Sequence, residues 1–111
     1  MTIESIREIA RRWLDDTVEP YRWTDQALKR YIGLAVRELN RRVVGTRYVA
    51  GVLTDATPIP DLDSDELALE DRHEEAVAAY ATYLAYLDDS PDTANAQLAA
   101  NYFTKAESLM V

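Results

Sequence analysis

The stretch Ala76-Val77-Ala78-Ala79-Tyr80-Ala81-Thr82-Tyr83-Leu84-Ala85-Tyr86-Leu87 decides the fold. It is broken only by Thr82, and it is too short to span a bilayer. Read as a helix over about 71–88, it places Val77, Tyr80, Leu84 and Leu87 on one face. Ala76, Tyr83 and Tyr86 extend apolar surface around the sides. A helix that is apolar nearly all round is buried on more than one side. Either it is the central helix of one small domain, or part of it meets a second subunit. On the second reading, Tyr83 and Tyr86 are subunit-interface candidates.

On its C-terminal side, Ser90 suits an N-cap and Pro91 a first helical position, with Asp92 following. The stripe Leu98, Ala99, Tyr102, Ala106 and Leu109, with Phe103 and Met110, predicts a helix over 91–109. Near the start of the chain, Ile3, Ile6, Ala10 and Trp13 recur at helical spacing, with Ile9 and Leu14 beside them. Thr2 is the candidate cap of this helix over 3–15, and Glu8 with Arg12 forms an i, i+4 pair. Asp15, Asp16 and Pro20 mark its end. Thr24 and Asp25 then open a helix over 25–43 with the stripe Leu28, Tyr31, Ile32, Ala35 and Leu39. Gly33 inside it costs roughly 1 kcal/mol relative to alanine and is read as allowing close helix packing. Arg41 and Arg42 favour the C-terminal end of the helix dipole, and Gly45 suits the C′ position. The 111 residues thus predict one all-α domain over 1–111, a small four-helix bundle.

Residues 44–68 break the pattern with Gly45, Gly51, Pro58, Pro60 and the acids Asp61, Asp63, Asp65 and Glu66. The Tyr- and Val-rich run 47–53 suits a short strand. A connection this long is uncommon in a compact bundle and is often functional. It reads as a long loop or a short β-hairpin arm. Arg47, Tyr48, Val49, Val52 and Leu53 are its candidate partner-binding residues.

Catalytic chemistry is sparse. With no cysteine, disulfides, thiolate zinc sites and cysteine nucleophiles are excluded. The single histidine, His73, stands in Asp71-Arg72-His73-Glu74-Glu75 and reads as a partly exposed first-turn residue. The alternating carboxylates of 61–66 resemble a hard-cation loop but lack its glycine and terminal glutamate. The three glycines build no phosphate loop. No catalytic, cofactor-binding or metal-binding residue is therefore expected. The charged N-terminal stretch lacks an apolar signal core, so a soluble protein without a membrane role is expected.

Charge is unevenly spread. Residues 1–47 hold ten basic and seven acidic residues, whereas 48–111 hold two basic and thirteen acidic. The net charge of −8 argues against a whole-molecule footprint for nucleic acid. Arg30, Arg37 and Arg41 share one face of the second helix, flanked by Lys29 and Arg42. Arg37 and Arg41, one turn apart, repel unless acid faces them. That acid belongs either to the same chain or to a neighbouring copy. In the second case head-to-tail association closes into a ring if the rotation allows. On that reading Arg30, Arg37 and Arg41 are subunit-interface candidates.

Three stretches carry a family resemblance. One is Trp13-Leu14-Asp15-Asp16 followed by Tyr21-Arg22-Trp23-Thr24-Asp25-Gln26-Ala27-Leu28. The next is Tyr31-Ile32-Gly33-Leu34-Ala35-Val36-Arg37-Glu38-Leu39-Asn40. The last is Leu67-Ala68-Leu69-Glu70-Asp71-Arg72-His73-Glu74-Glu75-Ala76-Val77, leading into the Ala- and Tyr-rich helix. In order and spacing, over roughly 3–108, the chain resembles the helical head-to-tail connector proteins of tailed bacteriophages, also called adaptor or neck proteins. The resemblance implies a structural protein with no catalytic residues. It implies a ring, typically twelve-fold, under the portal protein, which forms a platform for the tail or the next connector. DNA passes through such a ring without specific binding, and an acidic lining repels its phosphates. The implied location is the head–tail junction of the virion, with assembly in the host cytoplasm. Compared with longer relatives, the 44–68 insertion is brief and the chain stops soon after the last helix. The competing expectation is a small helical DNA-binding or regulatory module.

Overall fold

Thr2 and Thr24 start the first two helices through their side chains. Thr2 Oγ1 accepts from Ser5 N–H at 3.0 Å, and Ser5 Oγ accepts from Thr2 N–H at 2.9 Å, a reciprocal capping box. Thr24 Oγ1 accepts from Ala27 N–H at 3.0 Å. The computed structural model describes residues 1–49, 51–54, 56–89 and 93–111. It contains α1 (Ile3–Leu14), α2 (Asp25–Arg42), β1 (Tyr48–Val49), β2 (Val52–Leu53), α3 (Glu74–Asp88) and α4 (Thr93–Leu109). The fold is the all-α, four-helix one that the hydrophobic pattern predicts, and the connection after α2 carries a two-stranded antiparallel hairpin. The proposed cap Ser90, with Pro91 and Asp92, lies outside the described residues.

α3 is the central helix and packs on α4, α2 and α1. Ala76, Val77, Ala78, Ala79, Ala81, Thr82 and Ala85 are buried around its whole circumference. Small side chains on every side let three helices approach it closely. The one polar residue among them, Thr82, donates its hydroxyl to Ala78 O at 2.8 Å and so leaves no unsatisfied group. The expected core face is corrected at Leu87, which is exposed, and Leu109 at the end of α4 is exposed as well. Alanines, not the larger residues, make the inner surface of α3.

The α1–α2 corner is held by a buried ion pair. Arg11 Nη1 donates to Asp16 Oδ2 at 2.9 Å and to Trp23 O at 3.0 Å, and Nη2 donates to Asp25 Oδ1 at 2.6 Å. Asp16 in turn accepts from the N–H groups of Arg22 and Trp23. The Arg11 guanidinium lies 3.8 Å from the Tyr21 ring centre. By contrast, the expected Glu8–Arg12 pair does not form, and both residues face solvent.

α2 ends at Val43, whose N–H donates to Leu39 O. Gly45 does not take the left-handed C′ conformation expected of it. The chain instead continues into a 3₁₀ turn, Val44–Arg47, closed by Thr46 N–H on Val43 O at 3.0 Å. Gly51, with φ 79°, is the glycine that uses its freedom, in the hairpin turn. Beyond the hairpin the chain runs back along the start of α1. Glu4 N–H donates to Asp63 O, and Leu67 N–H donates to Met1 O. Leu67 is buried, so this returning segment is docked rather than loose. A second 3₁₀ turn, Asp71–His73, replaces the first turn of the helix expected from residue 71.

Candidate interaction surface

The arm is fixed at its base by one buried side chain. Asn40 on α2 donates through Nδ2 to Thr46 Oγ1 at 2.8 Å and to Thr57 Oγ1 at 2.9 Å, and its Oδ1 accepts Thr57 N–H at 2.7 Å. Thr57 also donates to Thr46 O at 3.0 Å. All three residues are buried. Both ends of the hairpin are therefore clamped to the end of α2, and Thr54 closes it by donating N–H and Oγ1 to Arg47 O.

From that base the arm holds apolar side chains in solvent. Tyr48 is 53% exposed, Val52 64% and Leu53 50%. Val49 pairs with Val52 in the hairpin ladder. Arg47 is half-buried; its Nε is fully buried and has no hydrogen-bond acceptor among the described residues.

Of the helix-face arginines, two of the three have acid partners in their own chain. Arg41 pairs with Glu38, as does Arg42 through Nε at 2.7 Å. Arg41 and then Arg42 hold the Glu38 carboxyl down to about 2, well below the usual carboxylate range. Arg30 lies 3.9 Å from Asp88 and its guanidinium sits 5.4 Å from the Tyr31 ring centre. Arg37 is exposed and makes no ion pair among the described residues.

The tyrosines are distributed differently from expectation. Tyr86 is corrected: at 6% exposure it is a core residue, not a surface one. Its hydroxyl donates to Trp13 O at 3.1 Å, and its ring meets Trp23 edge-on at 5.8 Å and stacks on Tyr102 at 5.9 Å. It faces inward because α1 and α4 close over that side of α3. Tyr83 is half-buried against Tyr80 and Phe103, with centroids 5.2 and 5.0 Å away.

The remaining polar groups are drawn into the fold. His73, expected to be partly exposed, is 8% exposed, and burial pushes its imidazole pKa below the usual value. Asp63, in the stretch resembling a cation loop, is bound by Arg7 at 2.7 Å and Lys29 at 2.8 Å. Those cations, Lys29 first, lower its pKa. Among the described residues, no three histidine or carboxylate groups cluster to hold a metal ion. Nor is any described helix long and apolar enough to cross a membrane.

Sequence reading missed Arg11 and Asn40. Nothing in residue type separates Arg11 from Arg7 or Arg12. The partners of Asn40 lie 6 and 17 residues away, beyond any local pattern. Comparison with family models, curated proteins and solved structures gives no match to this chain.

Proposed function

We propose that this chain is a structural subunit of a phage head–tail connector. Copies associate into a ring, twelve-fold on the family resemblance, that sits between the portal vertex and the tail and lets DNA pass. It acts by binding and not by catalysis. One observation supports this above the others: the arm presents Tyr48, Val52 and Leu53 to solvent from a base clamped by Asn40. Apolar groups held together in water mark a surface that another protein covers. A rigid base lowers the ordering entropy lost on binding.

The test is a mixture with the portal protein of the same phage, followed by size-exclusion chromatography with light scattering. A stable complex is expected for the wild-type chain. The triple variant Tyr48→Ser, Val52→Ser, Leu53→Ser is expected to lose it while keeping its helical circular dichroism. Absence of a wild-type complex contradicts the proposal. In that case binding to duplex DNA, with a steep salt dependence, is the signature of the competing regulatory module.

A further inference from the structure

Beside the base of the arm lies an open concavity of about 340 Å³ lined by Arg37, Glu38, Asn40, Arg41, Arg47 and Ala56. Three guanidinium groups meet a single carboxylate there, and that carboxylate is already committed. Glu38 accepts from Arg41 through both oxygens and from Arg42 Nε as well. Two cations remain without an acidic partner among the described residues. Arg37 reaches solvent freely, while Arg47 carries a buried Nε with no acceptor. Three guanidinium groups against one carboxylate leave the concavity net positive, which favours an incoming oxyanion at the exposed Arg37. The site is also rigid. Arg47 follows Thr46 and Ala56 precedes Thr57, and both threonines are fixed to α2 by Asn40.

We infer that this concavity binds the Asp61 and Asp65 carboxylates of a second copy of the chain. This contact rests on the ring reading, because the ring supplies the neighbouring copy. Charge favours a protein segment over nucleic acid. The chain carries −8 overall, and thirteen of its acids lie in 48–111. Within that half, many acids are satisfied internally. Asp63 is held by Arg7 and Lys29, Asp88 by Tyr31 and Arg30, and Asp89 by Arg22 and Asn95. Asp61 and Asp65 are exposed, with side chains that make no ion pair among the described residues. Asp61 and Asp65 stand four residues apart on one exposed segment, so one segment can bring two carboxylates to the arginines Arg37 and Arg47 of a neighbouring copy.

The probe is a labelled synthetic peptide of residues 59–67 titrated into the full chain. Binding is expected to weaken about tenfold in the double variant Arg37→Gln, Arg47→Gln. A similar loss is expected for the peptide carrying Asp61→Asn and Asp65→Asn, and for both partners as salt rises. Arg37 is exposed, so the single variant Arg37→Gln leaves the fold intact and should show a smaller loss in the same direction. The inference is overturned if the peptide does not bind, or if both arginine variants bind it as wild type does. A short DNA duplex bound through these arginines in preference to the peptide overturns it as well. Solution mass separates this contact from the ring itself. A ring whose subunits ignore the peptide keeps the ring and removes this contact. A monomer that binds the peptide keeps an acid-binding site and removes the ring.

Discussion

Arg11 and Asp16 are side chains whose removal should be felt most, because both are buried and each satisfies the other. Removing one partner of a buried ion pair typically costs about 3–5 kcal/mol, since the other charge is left without compensation. Asp16→Ala also strips acceptors from Arg22 N–H and Trp23 N–H, so the cost should fall in that range. Urea unfolding followed by circular dichroism measures it. Asp25, which touches Arg11 from an exposed position, is the control; Asp25→Asn should cost under about 1 kcal/mol. Glu38 makes a second residue-scale test. Hydrogen bonds from Arg41 and then Arg42 hold its folded pKa down to about 2, below the usual carboxylate value of 4.5. A depressed folded pKa contributes stability above the unfolded pKa, and that stability is lost as pH falls through 4.5 toward 2. The Glu38→Gln variant should therefore show a shallower loss of stability over that window. An unchanged slope would contradict the Arg41 and Arg42 contacts. The turn after α1 was legible in Asp15, Asp16 and Pro20. Its buried cation was not, because burial of Arg11 depends on where α2 begins, which no local spacing states.

At the scale of elements, the helices were legible from apolar spacing and caps, to within a residue at described ends except at α3, which begins three residues later than expected. The Tyr and Val content suited a short strand and left a long loop or a hairpin open, and the chain forms the hairpin. The mistakes share a cause. Reading α3 by hydrophobic size put its core on Val77, Tyr80, Leu84 and Leu87, of which Val77 is buried, Tyr80 and Leu84 pack half-buried against the core and Leu87 is exposed, and it placed Tyr86 at an interface. Packing is set instead by which side allows close approach, and that is the alanine surface. Gly33 is similar. It was expected to permit tight packing, yet a side chain there meets nothing within 4 Å. Gly33→Ala should therefore raise stability by about 0.5–1 kcal/mol, the usual gain inside a helix, as a shift in the urea midpoint. The arm depends on Asn40 in the opposite way. Asn40→Ala leaves Thr46 and Thr57 without their partner and should cost about 1–3 kcal/mol. Hydrogen exchange should report the loss as faster exchange at Thr54 and Thr57, with the α3 amides little changed. Uniform loss of protection would mean that the arm and bundle unfold as one unit.

For the whole molecule, the charge split has a partly internal answer. Arg7 and Lys29 meet Asp63, Arg42 meets Glu107 at 2.8 Å, and Arg22 meets Asp89. The basic and acidic halves are drawn together by folding, so composition alone overstates what is left for a partner. What remains is specific in place: an apolar arm, an arginine concavity next to its base, and exposed acids in 61–66. In the proposed ring, these features of a molecule 43 by 27 by 19 Å are the surfaces that meet a neighbouring copy or the portal. The most direct test of the ring is the solution mass of the purified chain across a concentration series, by light scattering or sedimentation. The expected result is a discrete species many subunits in size, kept by the arm variant Tyr48→Ser, Val52→Ser, Leu53→Ser, which loses only the portal complex. A monomer at every concentration, alone and with the portal protein present, would contradict it.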